Sequence, residues 1–224
     1  MNLPDPVRDG LRRGWAVLDA GAPSLPDEAR FDVVIVGSGA GGATSAEILA
    51  RAGLRTLLVE EGPLRSSGDF RMRESDAYPQ LYQEAAARRT KDKAISILQG
   101  RCVGGSTTVN WTSSFRTPGA TLAFWRDRHG LTGFDEDTMA PWFEQVERRL
   151  SIAPWATSPN ANNEVLRRGA ERLGLRTSTI PRNVRGCLNL GYCGVGCPSN
   201  AKQSMLVTTI PSALDAGATL YVRA

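Results

Sequence analysis

The sequence predicts an α/β fold built on a parallel sheet, and three observations predict it. A short apolar run at residues 31–36 is followed at once by a glycine-rich turn and a helix-forming stretch. A second apolar run, 56–59, ends on an acid, and a third, 219–222, follows another helical stretch close to the C-terminus. Short apolar runs bounded by glycine and joined through helices read as buried parallel strands. The composition of the 224 residues, 41% apolar and 22% charged, excludes a disordered chain. It is enough chain for one good core, or for one domain and part of another.

Residues 5–18 read as an amphipathic helix, and residues 1–30 as a helical extension ahead of the first strand. The segment carries Asp5 and Asp9 and lacks an apolar core, so it is not a secretory signal. No hydrophobic stretch follows Arg12 and Arg13, so twin-arginine export is not expected either. No apolar run approaches the length of a membrane span. The expected location is cytoplasmic.

The 31–36 strand delivers Gly37, Ser38, Gly39 and Gly42, which satisfy G-x-G-x-x-G. Gly37 allows the tight turn, Gly39 lets backbone approach a pyrophosphate, and Gly42 lets the next helix sit close to the strand. That helix spans residues 41–52, with Ala43 and Ala46 on its packed side, and its N-terminal amides and dipole face the phosphates. Gly53 ends it. The strand at 56–59 then delivers Glu60, 18 residues past Gly42, where a carboxylate accepts hydrogen bonds from an adenosine ribose. A phosphate-bearing ribose would be repelled there. Glu61 is the competing acid; Glu60 is preferred because it directly ends the apolar run.

Residues 70–93 are polar and alanine-rich and read as helix, and 94–98 as a strand entering a second glycine loop. That loop, residues 100–110, reads G-R-C-V-G-G-S-T-T-V-N. Its Gly-Gly pair, with Ser106, Thr107 and Thr108, offers open amides and hydroxyls to an anionic or polar group, and Asn110 supplies a donor and an acceptor. Helices follow at 121–128 and 135–150, the latter with Trp142, Phe143, Val146 and Leu150 at core spacing. Residues 164–173 form another, capped by Gly174, and 209–216 a short one with Pro211 in its first turn. The net charge of +4 comes from arginines scattered among acids, with no basic block, so no nucleic-acid partner is expected. His129, the single histidine, reads as a surface or capping residue.

The two loops together resemble the glucose–methanol–choline (GMC) oxidoreductases, FAD-dependent enzymes that oxidise alcohols. Gly37, Gly39, Gly42, Glu60 and Gly62 fit the family's "G-x-G-x-x-G … E-x-G" pattern, and residues 100–110 fit its "G-R-x-x-G-G-S-[ST]-x-[IV]-N" signature. One departure is Phe115, five residues past Asn110, where the family usually has an aromatic four past it. The resemblance implies an incomplete Rossmann-like FAD-binding domain over residues 31–224, with inserted helices and the start of a substrate-domain region. It implies that Arg101, Val103, Gly105, Ser106 and Asn110 line the flavin, Asn110 near the reactive ring, with Cys102 a small packing residue beside it. The implied reaction takes the CH–OH group of an alcohol to a carbonyl by hydride transfer to flavin, passing electrons to oxygen, a quinone or a cytochrome.

The family's base is a histidine paired with a second histidine or an asparagine in the C-terminal half. No residue up to Ala224 takes that role, so the chain reads as the flavin-binding front of an enzyme. A sheet cut short there would expose an edge. A second reading is a truncated, non-catalytic flavin-binding or electron-transfer fragment with a cysteine-ligated iron–sulfur cluster as its active part. A purely NAD-binding dehydrogenase is disfavoured by the second loop.

Cys187, Cys193 and Cys197 are spaced C-x5-C-x3-C and followed by Pro198. Four readings stand. A disulfide needs an oxidising compartment. Zinc wants four ligands, and only Cys102 could complete the set. An iron–sulfur cluster is suggested by thiolates ending in Cys-Pro, and the spacing is similar to the cluster motif of FAD-dependent sugar dehydrogenases in the same family. The segment also resembles that of long-chain fatty alcohol oxidases, where the thiols can simply pack in a glycine-rich loop.

Overall fold

The computed structural model describes residues 4–22, 25 and 28–224. Along the chain the elements are α1 (Pro6–Arg12), β1 (Val17–Asp19), β2 (Val33–Val36), α2 (Ala40–Arg51), β3 (Thr56–Glu60), α3 (Glu74–Leu81) and the single turn α4 (Ser106–Val109). They continue with α5 (Gly119–His129), α6 (Glu136–Arg149), β4 (Ile152–Pro154), α7 (Ala161–Arg172), β5 (Pro181–Asn183), α8 (Thr209–Asp215) and β6 (Thr219–Val222). These fall into two compact units, one made of residues up to 112 together with 185–224, the other of residues 113–184.

The first unit holds the expected Rossmann-like α/β arrangement. Its four strands are all parallel, in the order β1-β6-β3-β2. The C-terminal strand β6 therefore lies inside the sheet, with Leu220 opposite Leu58 of β3 and Val17 of β1. Leu220 is wholly buried, and Leu57, Leu58 and Val222 join it in the core. Helix α2 packs against α8, and the buried apolar residues of α2 are the small Ala43, Ala46 and Ala50, which let neighbouring elements come close. From α8 the buried residues are Ile210, Ala213 and Leu214. Among the described residues β1 and β2 are the two edges of this sheet, and Val36 of β2 is 85% exposed.

Three local expectations change. The helix expected over 5–18 is only α1, capped by Asp5 at the amides of Val7 and Arg8, and the chain then extends into β1. Pairing of β1 with β6 and a 2.7 Å bond from Trp15 Nε1 to Asp215 take the residues that the helical pattern would have used. The helix expected over 70–93 stops at Leu81. Tyr82 leaves it to form a bridge with Gly100 and bury its ring, and Glu84 and Ala85 turn with positive φ. Residues 94–98 make one bridge, Arg89 to Ser96, in place of a strand, and Ile95 and Leu98 lie exposed.

The second unit contains α5, α6, α7 and an antiparallel pair, β4 with β5. Asp135 caps α6 by accepting from the amide of Thr138, and Asn160 caps α7 by accepting from Asn163, both at 2.9 Å. The core role expected for Trp142, Phe143, Val146 and Leu150 is not met: α6 has no buried residue, and Trp142 is 61% exposed. Helical spacing marks an apolar face, but a face is buried only where another element covers it.

Candidate functional site

The site begins where β2 turns into α2. The Gly37 amide donates to Val59 O at 2.7 Å, which ties the turn to β3. A Cβ on Gly42 would fall 1.8 Å from Gly37 O, so only glycine lets α2 start this close to the strand. Gly39 is the N-cap of α2. No side chain caps that end, and the first turn carries no acid. A Cβ built on Gly39 or Gly41 meets nothing within 4 Å. The first-turn amides and the positive end of the dipole thus face open space, a cradle suited to phosphate oxygens.

Glu60 ends β3 and is 5% exposed, whereas Glu61 is exposed and paired with Arg101 at 3.2 Å. One Glu60 oxygen, Oε2, accepts from the Ser38 amide at 3.0 Å and the Ser38 hydroxyl at 2.5 Å; the other, Oε1, accepts from the Gly62 amide at 2.9 Å. Three donors stabilise the carboxylate in its buried position. Ser38 itself is wholly buried, and its Oγ also accepts from the Gly104 amide at 2.9 Å. The acid at the end of β3, the first glycine loop and the second glycine loop are therefore joined through one hydroxyl.

The second loop reaches the first through its backbone. Gly105 has a φ of +53°, and a Cβ there would lie 2.9 Å from Gly39 Cα. Ser106 Oγ closes the loop by accepting from the Gly100 amide at 3.0 Å. Val103 and Cys102 are buried beneath it, and Val103 donates its amide to Pro63 O at 3.1 Å. Burial first, and then the nearby Glu60 carboxylate, push the Cys102 thiol up to about 12, so it stays protonated. Asn110 ends α4 in an exposed position, its Oδ1 accepting from the Thr112 amide at 3.2 Å. Gly37, Ser38, Gly39, Gly42, Glu60, Gly105 and Ser106 thus come together. Val103 supports them from below, and Arg101 turns to Glu61.

The three cysteines meet a different fate from the cluster reading. Among the described residues, no group of three or more His, Cys, Asp or Glu side chains is placed to hold a metal ion, and no disulfide forms. The sulfurs have separate local partners: Cys187 Sγ accepts from the Asn189 amide, and Cys197 Sγ lies 3.4 Å from Ser199 Oγ. For Cys197, burial alone would raise the thiol, but the Ser199 hydroxyl and the amides of residues 199, 201 and 202 outweigh it and hold it below the ordinary value. Residues 188–192 are exposed, and only the part of the segment from Cys193 onward packs. Gly194 and Val195 are buried, and Tyr82 OH donates to Gly194 O at 2.6 Å. Burial raises the Tyr82 phenol to about 12, which keeps that donor protonated.

Sequence reasoning missed the joining role of Ser38, the anchoring by Tyr82, and Lys202. Lys202 is 2% exposed, and its ammonium donates to the main-chain oxygens of Thr108, Asn110 and Cys193 at 2.7, 2.8 and 2.6 Å. The available signal was a lone lysine leading into the apolar stretch MLV, an unusual place for a solvated charge.

The family model described as GMC oxidoreductase matches residues 78–224, and one described as FAD binding domain matches residues 32–72. The chain belongs to the GMC oxidoreductase family. An uncharacterised GMC-type oxidoreductase of Mycobacterium tuberculosis is 40% identical over 205 residues, covering 90% of this chain and 32% of that protein. A long-chain-alcohol oxidase of Arabidopsis thaliana is 35% identical over 191 residues, covering 85% of this chain and 26% of its own length. The chain spans about a quarter to a third of the length of these two curated relatives. The solved structure of a formate oxidase aligns at a TM-score of 0.40 and 26% identity, over 53% of this chain and 22% of that one.

For a GMC oxidoreductase the dinucleotide is FAD, and the residues present fit it. The open cradle over Gly39, the uncapped amides of α2 and the buried Glu60 carboxylate all lie in or beside the stretch matched as FAD-binding. Among the described residues no helix is long and apolar enough to cross a membrane.

Proposed function

We propose that this chain is the FAD-holding part of a GMC oxidoreductase that oxidises the CH–OH group of an aliphatic alcohol. What carries the reading is the backbone approach of Gly105 to Gly39 with Glu60 joined to both loops through Ser38. Bound FAD would supply the hydride acceptor for the carbinol carbon. Gly39, Gly41 and the α2 amides would hold the pyrophosphate, and Glu60 would accept from the ribose hydroxyls with its remaining lone pairs. Ser106 and Asn110 would present polar groups to the flavin side, with Gly105 leaving room between the loops. Residues 113–184 would begin the substrate-facing region. The aliphatic substrate class is supported by the long-chain-alcohol oxidase relatives, which range from 30% to 35% identity.

Gly39→Ala tests the cofactor step directly. Gly39 has an ordinary φ of −68° and an empty Cβ position, so the fold should lose about 1 kcal/mol or less. The added methyl would occupy the pyrophosphate's place and weaken FAD binding by about tenfold or more. Equal FAD affinity in the folded variant would sink the assignment of this cradle. The reaction is tested by mixing the FAD-loaded whole enzyme that carries this chain, with its catalytic base, with primary alcohols of rising chain length without oxygen. Bleaching of the visible flavin band is expected. A flavin that dithionite reduces but no alcohol does would remove the substrate class.

A further inference from the structure

We propose that Lys202 is a positioning residue of the flavin site: its buried ammonium sets the exit of the second glycine loop and locks the cysteine segment to it. The inference rests on the FAD reading above and assigns a task to a residue outside both glycine motifs.

The geometry is specific to lysine. An ammonium has three N–H donors, and here three main-chain oxygens take them, from Thr108, Asn110 and Cys193. A charge removed from water at this depth is tolerated only when its donors are fully used, and each of these bonds is a strong, charge-assisted one. Two of the three acceptors belong to the last residues of the second loop. The third lies in the cysteine segment, 83 positions further along the chain from Asn110.

The loop exit needs such a restraint. After Asn110 the backbone turns sharply, and Thr112, a β-branched residue, sits at a φ of +65°. Asn110 Oδ1 accepts from the Thr112 amide, while its main-chain oxygen is taken by Lys202. Asn110 is thereby fixed on two sides and remains exposed. The same segment is held at neighbouring points: Tyr82 binds Gly194 O, Thr107 Oγ1 accepts from the Met205 amide at 3.1 Å, and a Cβ on Gly194 would lie 3.0 Å from the Trp111 ring. The packed part of the cysteine segment, residues 193–197, lies against the exit of the second loop, and Lys202 is the group that joins the two.

The experiment compares the unmodified chain with Lys202→Met and Lys202→Gln by FAD titration, visible spectrum of the bound flavin, and thermal melting without FAD. Methionine keeps the volume and removes every donor; glutamine keeps two donors and removes the charge. The expected result is at least tenfold weaker FAD binding by the folded Met variant, an altered flavin band, and partial recovery in the Gln variant. A merely structural lysine would lower the melting temperature and leave the folded fraction with the original affinity and spectrum, which overturns the proposal. Hydrogen exchange on the unmodified chain keeps the idea exposed if both variants fail to fold. Saturation with FAD should slow amides in residues 193–202 together with those in 106–112. Protection confined to the two glycine motifs would overturn it. Failure of the unmodified chain to bind FAD would instead sink the cofactor reading itself.

Discussion

Helices α8 and α6 both carry apolar residues at helical spacing, yet one is a core element and the other is not. Helix α8 packs on α2, and its Ile210, Ala213 and Leu214 are buried. In α6 no residue is buried, and in α7 Leu166 is 74% exposed. The pattern within each helix is similar; the difference is the partner. Helices α2 and α1 supply α8 with a surface, while within residues 113–184 the main neighbour of α6 is the three-residue strand β4, too little to bury a stripe. An apolar stripe states what a helix can cover, and its neighbours decide whether it does.

The largest effect that should separate the two units is a core truncation. Leu220→Ala should cost about 2–5 kcal/mol, because a wholly buried side chain at the centre of the sheet leaves a cavity. Leu166→Ala should stay within about 0.5 kcal/mol. Urea midpoints measured on both variants decide it, and equal losses would dissolve the contrast.

Next in size is Glu60→Gln. Loss of the charge weakens the bonds from Ser38 and Gly62 and the acceptor offered to a ribose, which should lower FAD affinity by roughly 10- to 100-fold. Calorimetric titration measures this, and Glu61→Gln, altering an exposed acid, serves as the control expected to change little.

A smaller and more distributed difference should appear in hydrogen exchange. Amides of β6 and α8 should outlast those of α6 and α7, since protection follows buried contact. Uniform protection would mean that the two units open together.

The finest comparison is between two thiols inside the first unit. The thiolate is the form that alkylates, so a thiol held below its ordinary pKa reacts earlier as pH rises. Cys197 should therefore be modified by iodoacetamide at mildly alkaline pH, while Cys102, buried and raised to about 12, stays unmodified in the folded protein. Mass mapping of the labelled peptides reads the order, and Cys102 reacting first would contradict both environments.

Legibility followed the range of the interaction. The β2 turn α2 unit, the acid at the end of β3, both ends of α6 and the C-terminal ends of α5 and α7 were readable because glycine spacing and apolar runs act within a few residues, whereas α7 begins at Ala161, three residues before the expected start. The helix expected over 70–93 failed at Tyr82, where a distant partner, Gly100, outbid local propensity. The cysteine spacing suggested a metal because spacing records proximity along the chain and says nothing of where each sulfur points. The packing role of that segment depends on Tyr82, Trp111 and Lys202, which come from elsewhere.

The sequence by itself determined that a parallel α/β unit would place a glycine turn at a helix N-terminus and an acid beside it, since each follows from backbone freedom and periodicity inside one short window. Only the tertiary structure decided that β6 enters the sheet between β1 and β3, that Gly105 comes to rest against Gly39, and that one lysine holds the loop exit. Those outcomes join residues far apart in the chain. They are set by which surfaces can be buried together and which polar groups must be satisfied there, and no local pattern carries that information.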